Sequence, residues 1–159
     1  MKTLLIVFHS QSGICEQLAL SCYQAANEAL AETDNVKVRM RRCTDADVDD
    51  VLAASLVLFI AAENFAAIAG GMKEFMNRIF YPAERAGLQA LPYALLVAAG
   101  NDGSNCVRQL DKILLGLNAK AVQAAHIVYS NDETIADSDK EYCQTLAQTL
   151  LLGLDVGLY

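Results

Sequence analysis

Short, nearly continuous apolar runs alternate with longer amphipathic segments along the whole chain, and this alternation constrains the fold more than any other feature. The runs occupy residues 3–8, 36–40, 56–61, 93–99 and 121–128. Four are almost wholly apolar, the pattern of strands covered on both faces, as in a parallel sheet. In the second, Lys37, Arg39, Arg41 and Arg42 are set against Val38 and Met40, which fits the solvated face of an edge strand. Between the runs lie helical periods. Met72, Phe75, Met76, Ile79 and Phe80 fall at i, i+3, i+4, i+7 and i+8, with Pro82 as the expected stop. Residues 13–32 place Ile14, Leu18, Cys22 and Ala29 on one stripe, 104–117 place Val107, Leu110, Leu114 and Leu117, and 139–152 place Tyr142, Leu146 and Leu150. Ser138 with Glu141 reads as a capping box for the last helix, and residues 45–54 as a shorter crossing helix.

Five strands alternating with helices predict a single α/β domain over residues 1–159. It is a three-layer α/β/α sandwich around a five-stranded, parallel, doubly wound sheet of order 2-1-3-4-5. In that order the ligand crevice lies at the carboxyl ends of the first, third and fourth strands.

Composition removes several function classes. Twelve Lys and Arg stand against 19 Asp and Glu, a net charge of −7, which opposes nucleic-acid and anionic-membrane binding. With 54% hydrophobic residues and two prolines the chain is not disordered. The five cysteines, Cys15, Cys22, Cys43, Cys106 and Cys143, form no CxxC pair and have no histidine at metal-ligand spacing. They read as reduced thiols of a cytoplasmic protein without a metal site. The opening apolar run is interrupted by His9-Ser10-Gln11-Ser12 before a signal peptide is complete, and the run 52–62 stops at Glu63, short of the roughly 20 residues that span a bilayer. A cytoplasmic chain with no membrane insertion is expected.

Three loops fall at the ends that border the crevice. The first, His9-Ser10-Gln11-Ser12-Gly13-Ile14-Cys15-Glu16, runs straight into a helix. Helix N-termini present free N–H groups and a partial positive charge, so this loop can hold a phosphate without Lys or Arg, assisted by the Ser10 and Ser12 hydroxyls. It reads equally as a plain N-cap by Ser12, which needs no ligand. The second, Glu63-Asn64-Phe65-Ala66-Ala67-Ile68-Ala69-Gly70-Gly71, carries small residues against which a flat ligand can lie, or is a connection whose Phe65 packs into the core. The third, Gly100-Asn101-Asp102-Gly103-Ser104, suits left-handed turn geometry and a Ser104 cap.

Together these segments resemble a known family. Ser10-Gln11-Ser12-Gly13-Ile14-Cys15 is similar to the flavodoxin-type phosphate loop [ST]-x-[ST]-G-x-[ST]. Ala62-Glu63-Asn64-Phe65 through Gly71-Met72-Lys73-Glu74-Phe75-Met76-Asn77-Arg78, then Phe80-Tyr81-Pro82 and Ala99-Gly100-Asn101-Asp102-Gly103, resemble one branch of the flavodoxin-like NAD(P)H-dependent FMN and quinone reductases. That branch reads close to P-E-N-F-G-Y-M-x-G-x-x-K-x-F-x-D-R, Y-Y-P and A-G-N-D-G. The resemblance implies a flavodoxin-like sheet order, FMN as cofactor and NAD(P)H as reductant, with a quinone, a flavin or a similar small-molecule acceptor. It places Ser10, Gln11, Ser12, Gly13, Ile14 and Cys15 at the phosphate, and Glu63, Asn64, Phe65, Ala66, Gly100, Asn101, Asp102 and Gly103 around the isoalloxazine ring. No side-chain nucleophile is implied, because the chemistry belongs to the flavin. Asp102 and Glu63, if ionised near the ring, would lower its potential. The departures are Cys15 in place of Ser or Thr, and Ala62, Ala66 and Ala67 in place of Pro, Gly and an aromatic residue. A flavodoxin-type electron carrier and a flavodoxin-fold interaction module without FMN are the alternatives. Phe65, Phe80, Tyr81 and the tail 154–159 are candidates for a dimer face, since the resemblance implies a homodimer or tetramer.

Other users of such a sheet are excluded by residue type. A receiver domain needs acidic residues where the chain has His9-Ser10 and a phospho-accepting Asp where it has Ala62-Glu63. A low-molecular-weight tyrosine phosphatase needs C-x5-R, whereas Cys15 leads to Ser21. G-x-S-x-G, GxGxxG and Walker patterns are absent. His9 and His126, on or beside predicted strands, read as structural.

Overall fold

The computed structural model describes all 159 residues. Strand β1 (Lys2–Phe8) leads to helix α1 (Ile14–Ala29), a short 3-10 turn (Leu30–Glu32) and β2 (Val36–Arg42). Helix α2 (Val48–Leu52) crosses to β3 (Leu56–Asn64), which folds back through the two-residue β4 (Ala67–Ile68) into α3 (Gly70–Arg85). Then follow β5 (Pro92–Ala99), α4 (Ser104–Gly116), β6 (Lys120–Ala121), β7 (His126–Tyr129) and α5 (Asp137–Asp155).

The main sheet runs β2-β1-β3-β5, continued by β6 and β7 end to end along the outer edge of β5, with every pairing parallel. This is the expected flavodoxin-like order. Alternate residues feed opposite layers, as the two-residue period of a strand requires. Leu4, Ile6, Leu58, Ile60 and Leu96 pack with α1 and α5, while Leu5, Val7, Val57, Phe59 and Leu95 pack with α2, α3 and α4. The edge position of β2 explains its arginines. Arg39 pairs with Asp50 at 2.8 Å and Arg42 with Glu16 at 2.6 Å, while Val38 and Met40 turn inward. At the far end of the sheet, Lys2 Nζ donates to the carbonyls of Leu154 and Asp155, placing a cation on the α5 C-terminus.

Several local expectations are corrected. The fifth strand, expected over 121–128, is broken: Tyr93 opposes Ala121 and Leu96 opposes His126, so the edge chain carries two extra residues and bulges between β6 and β7. Pro82 does not end α3, which runs on to Arg85; the missing N–H leaves only the Arg78 carbonyl without its usual partner, close to the end of the helix. The stop is Gly87, at φ 76°, with the Leu88 N–H bonded to the Ala83 carbonyl. Neither Ser12 nor Ser104 is an N-cap; Gly13 and Gly103 hold those positions in left-handed conformation. The Ser138–Glu141 box does not form, since α5 begins two residues earlier, after Ala136. A capping box appears instead at α2, where Asp47 and Asp50 bond each other's backbone N–H groups. In the expected dimer face, Leu154 is buried in the core and the Tyr159 ring packs onto Gly153, where a Cβ would lie 2.7 Å from it. No helix is long and apolar enough to cross a membrane.

Candidate functional site

The carboxyl ends of β1, β3, β5 and β7 enclose a cleft of about 360 Å³, within the ~300–1,000 Å³ usual for small-molecule sites. Ser10, Gln11, Ser12, Ile14 and Cys15 form one wall, Ala62, Glu63 and Asn64 a second, Ala98, Ala99 and Gly100 a third, and Ser130 a fourth. The structure thus gathers eight of the expected residues: Ser10, Gln11, Ser12, Ile14, Cys15, Glu63, Asn64 and Gly100. Gly13, Phe65, Ala66, Asn101, Asp102 and Gly103 lie in the same loops but outside the cleft wall.

The first wall is the approach to α1. Gly13, at φ 98°, turns the chain into the helix, and its N–H is accepted by Ser10 Oγ at 3.1 Å. Such a φ strains any residue with a Cβ. No lysine or arginine lines the cleft. An anion there meets backbone N–H groups, hydroxyls and the α1 dipole. Glu16 adds a negative charge in the first turn of α1, countered by its ion pair with Arg42. Cys15 is buried, and burial pushes its thiol up to about 12, so it remains a neutral thiol and not a reactive thiolate.

The second wall is a β-hairpin that periodicity alone does not reveal. Glu63 pairs with Ile68 and Asn64 with Ala67, leaving Phe65 and Ala66 as a two-residue turn. Both have positive φ, 51° and 57°, the geometry of a type I′ turn. The Phe65 ring is fully exposed at the tip and does not pack into the core. The Asn64 side-chain amide donates to Gln11 Oε1 at 3.3 Å, joining the second wall to the first.

The Glu63 carboxylate accepts the Gly103 N–H at 3.0 Å and the Cys106 N–H at 3.2 Å. It therefore meets orphan donors at the start of α4, whose own N-cap offers no side chain. Asp102 points elsewhere and accepts the Ser104 hydroxyl. The third and fourth walls are tied by Asn131 Nδ2 to the Gly100 carbonyl at 3.3 Å and by the Tyr129 hydroxyl to the Asp102 carbonyl at 3.1 Å. Gln17 holds the loop after β7, donating to the Glu133 carbonyl at 2.8 Å and accepting the Ile135 N–H at 3.2 Å.

A family model described as NADPH-dependent FMN reductase matches residues 1–134, from β1 through all four walls of the cleft. The chain belongs to that family. Among solved structures, this family member is similar to a flavodoxin from the domain Archaea, at 14% identity and a TM-score of 0.74, covering 96% of this chain and 98% of that one. A flavodoxin, WrbA-like protein from Agrobacterium tumefaciens gives 13% identity and 0.76, covering 96% of each chain. The rubredoxin oxygen:oxidoreductase of Desulfovibrio gigas gives 16% and 0.78, with 99% of this chain matching 37% of that one. At such identities these likenesses establish a shared flavodoxin-like fold. A comparison with curated proteins gives no significant match.

Sequence reasoning missed Ala62, Ala98, Ala99 and Ser130 as lining residues of this FMN reductase family member. The alanines sit in runs that read as buried strand, and only the sheet order reveals that their ends open into the cleft. Ser130 follows a strand whose bulge shifts its end, so its position relative to the first loop cannot be counted along the chain.

Proposed function

We propose that this protein binds FMN in the cleft and passes electrons from NAD(P)H to a quinone, a free flavin or a similar flat acceptor. The family membership supports an FMN-dependent oxidoreductase, and the observation that carries the reading is the make-up of the cleft. It joins a helix N-terminus with two hydroxyls, suited to a phosphate, to the small residues Ala62, Ala98, Ala99 and Gly100 of the second and third walls, suited to a flat ring. The residues present fit the cofactor. Each of these four side chains ends at Cβ or lacks one, so a planar ring can approach the backbone there.

Bound FMN supplies a ring that accepts a hydride equivalent and releases electrons to an acceptor, chemistry that no side chain of the chain offers. The protein's residues bind, orient and shield. In this reading Ser10, Gln11, Ser12, Gly13, Ile14 and Cys15 hold the phosphate through backbone N–H groups and the serine hydroxyls. Glu63, Asn64, Phe65 and Ala66 flank the ring on the hairpin side, and Gly100, Asn101, Asp102 and Gly103 on the other. The buried Cys15 thiol fills the hydroxyl position of related loops as a weak donor. Phe65 holds an apolar face beside the mouth, where a nicotinamide or quinone ring can stack.

Anaerobic mixing with NADPH and with NADH tests the reading. Bleaching of the bound-flavin absorbance, followed by its return on adding a quinone, is the expected result. Flavin that binds but is reduced by neither nucleotide would instead support an electron carrier reduced by a protein partner.

A further inference from the structure

We propose that Glu63 is a positioning residue for the flavin site: its carboxylate ties the β3–β4 hairpin to the N-terminus of α4 and so fixes the separation of the two loops between which the ring lies. The inference rests on the FMN reading above. Sequence reasoning gave Glu63 a different part, that of a charge beside the ring. Its two oxygens are both committed to backbone donors, Gly103 at 3.0 Å and Cys106 at 3.2 Å. These donors begin a helix whose N-cap is a glycine at φ 74° with no cap of its own, so the only carboxylate serving them comes from a strand 40 residues earlier. A carboxylate held by two N–H groups and the helix dipole is partly neutralised and its geometry is fixed.

The tie is one of a set. Asn105 Nδ2 donates to the Ala66 carbonyl, Gln109 Oε1 accepts the Ile68 N–H at 3.1 Å, and Cys106 Sγ contacts the Ala62 carbonyl at 3.7 Å. The first two turns of α4 thus grip both strands and the tip of the hairpin. The hairpin needs that grip, because Phe65 and Ala66 are held at positive φ without glycine. Such conformations persist only where the surroundings over-determine them. Within the set Glu63 alone both lines the cleft and carries charge. Removing it loosens the hairpin against α4, which lowers the fraction of molecules with a formed ring site and raises the apparent Kd by the same factor.

The test compares Glu63→Ala and Glu63→Gln with the parent protein at a temperature where circular dichroism shows each folded. Glu63→Gln keeps the shape and one acceptor oxygen, and it carries the test if Glu63→Ala does not fold. In cofactor-free protein, amide hydrogen exchange at Gly103 and Cys106 should accelerate most in the alanine variant and less in the glutamine variant. The Kd for FMN should rise in the same order, by about tenfold for alanine, as expected for loss of a charge-assisted contact. Glutamine should recover part of that loss. Unchanged exchange, with equal upward shifts of the flavin midpoint potential in both variants, would overturn the proposal in favour of a charge acting directly on the ring. Parent protein that binds FMN while Glu63→Ala binds it equally well would also overturn it. Parent protein that binds no FMN overturns the functional reading itself, whatever the exchange shows.

Discussion

The Asn64 side chain donates a hydrogen bond to Gln11 Oε1 across 3.3 Å, bridging the hairpin after β3 and the loop before α1. Gln11 is exposed and Asn64 half-buried, and the two lie 53 positions apart, yet they hold opposite walls of the cleft at a fixed distance. A neutral, exposed bond of this kind contributes about 0.5–1.5 kcal/mol at most. Gln11→Ala should therefore lower the melting temperature by no more than about 1–6 °C but let the walls separate. FMN release, followed by fluorescence recovery on dilution, should become about two- to tenfold faster. An unchanged release rate would assign the bond to the surface alone.

Ala66 sits at φ 57° in a turn that favours glycine. Left-handed geometry costs a residue with a Cβ roughly 1–2 kcal/mol, offset in part by the extra freedom glycine gives the unfolded chain. Ala66→Gly should stabilise the protein by about 0.5–1 kcal/mol in denaturant titration. Destabilisation would mean that the alanine methyl makes a contact worth more than the strain.

Arg42 neutralises Glu16 beside the loop assigned to the phosphate, at 2.6 Å, and its guanidinium lies 5.1 Å over the Phe8 ring. Both charges of the pair are well exposed, so the pair adds little to stability. Its effect should appear in binding. Arg42→Gln should weaken FMN by about threefold at low salt, and the difference should shrink near 1 M salt, where screening acts within about 3 Å. A loss that salt does not alter would point to packing on Phe8.

Both histidines are held below their ordinary value of 6.5, each first by burial. For His9, which faces the Cys43 thiol at 3.6 Å and fills the space above Gly71, the Arg42 charge adds to the depression. For His126, stacked on Tyr142 at 3.6 Å, Asp139 opposes it. The unfolded chain therefore takes up protons before the native one, and the stability these groups contribute is present above pH 6.5 and lost as the pH falls below it. Melting temperature should decline as the pH falls through that value. The double variant His9→Gln, His126→Gln should show a shallower decline; an equal slope would assign the loss to other groups.

Much of this fold is legible along the chain because the strands are short apolar runs and the helices have clear 3.6-residue stripes. Ile14, Leu18 and Cys22 are all buried on one face of α1, and Met72, Phe75, Met76 and Ile79 on one face of α3. What escapes is set by tertiary contact. Glu63 reads as a loop carboxylate, and nothing near it in sequence announces donors at Gly103 and Cys106. The hairpin at Phe65 and Ala66 carries no Asn-Gly or Asp-Gly signal, because α4 enforces the turn that such residues would favour locally. The Asp47–Asp50 box escapes because the usual signature pairs Ser or Thr with Glu. Ser12 and Ser104 mislead in the opposite way, as good capping residues each displaced by a glycine whose backbone takes the turn.

Binding of FMN in the four-walled cleft is tested by an equilibrium titration of the purified protein with FMN. Flavin fluorescence and the visible spectrum would be recorded after removal of free cofactor, with Gly13→Val as the control that blocks the turn into α1. Saturable one-to-one binding with an altered flavin spectrum, lost in the control, is the expected result. A folded protein that retains no flavin and shows no saturable change would contradict it.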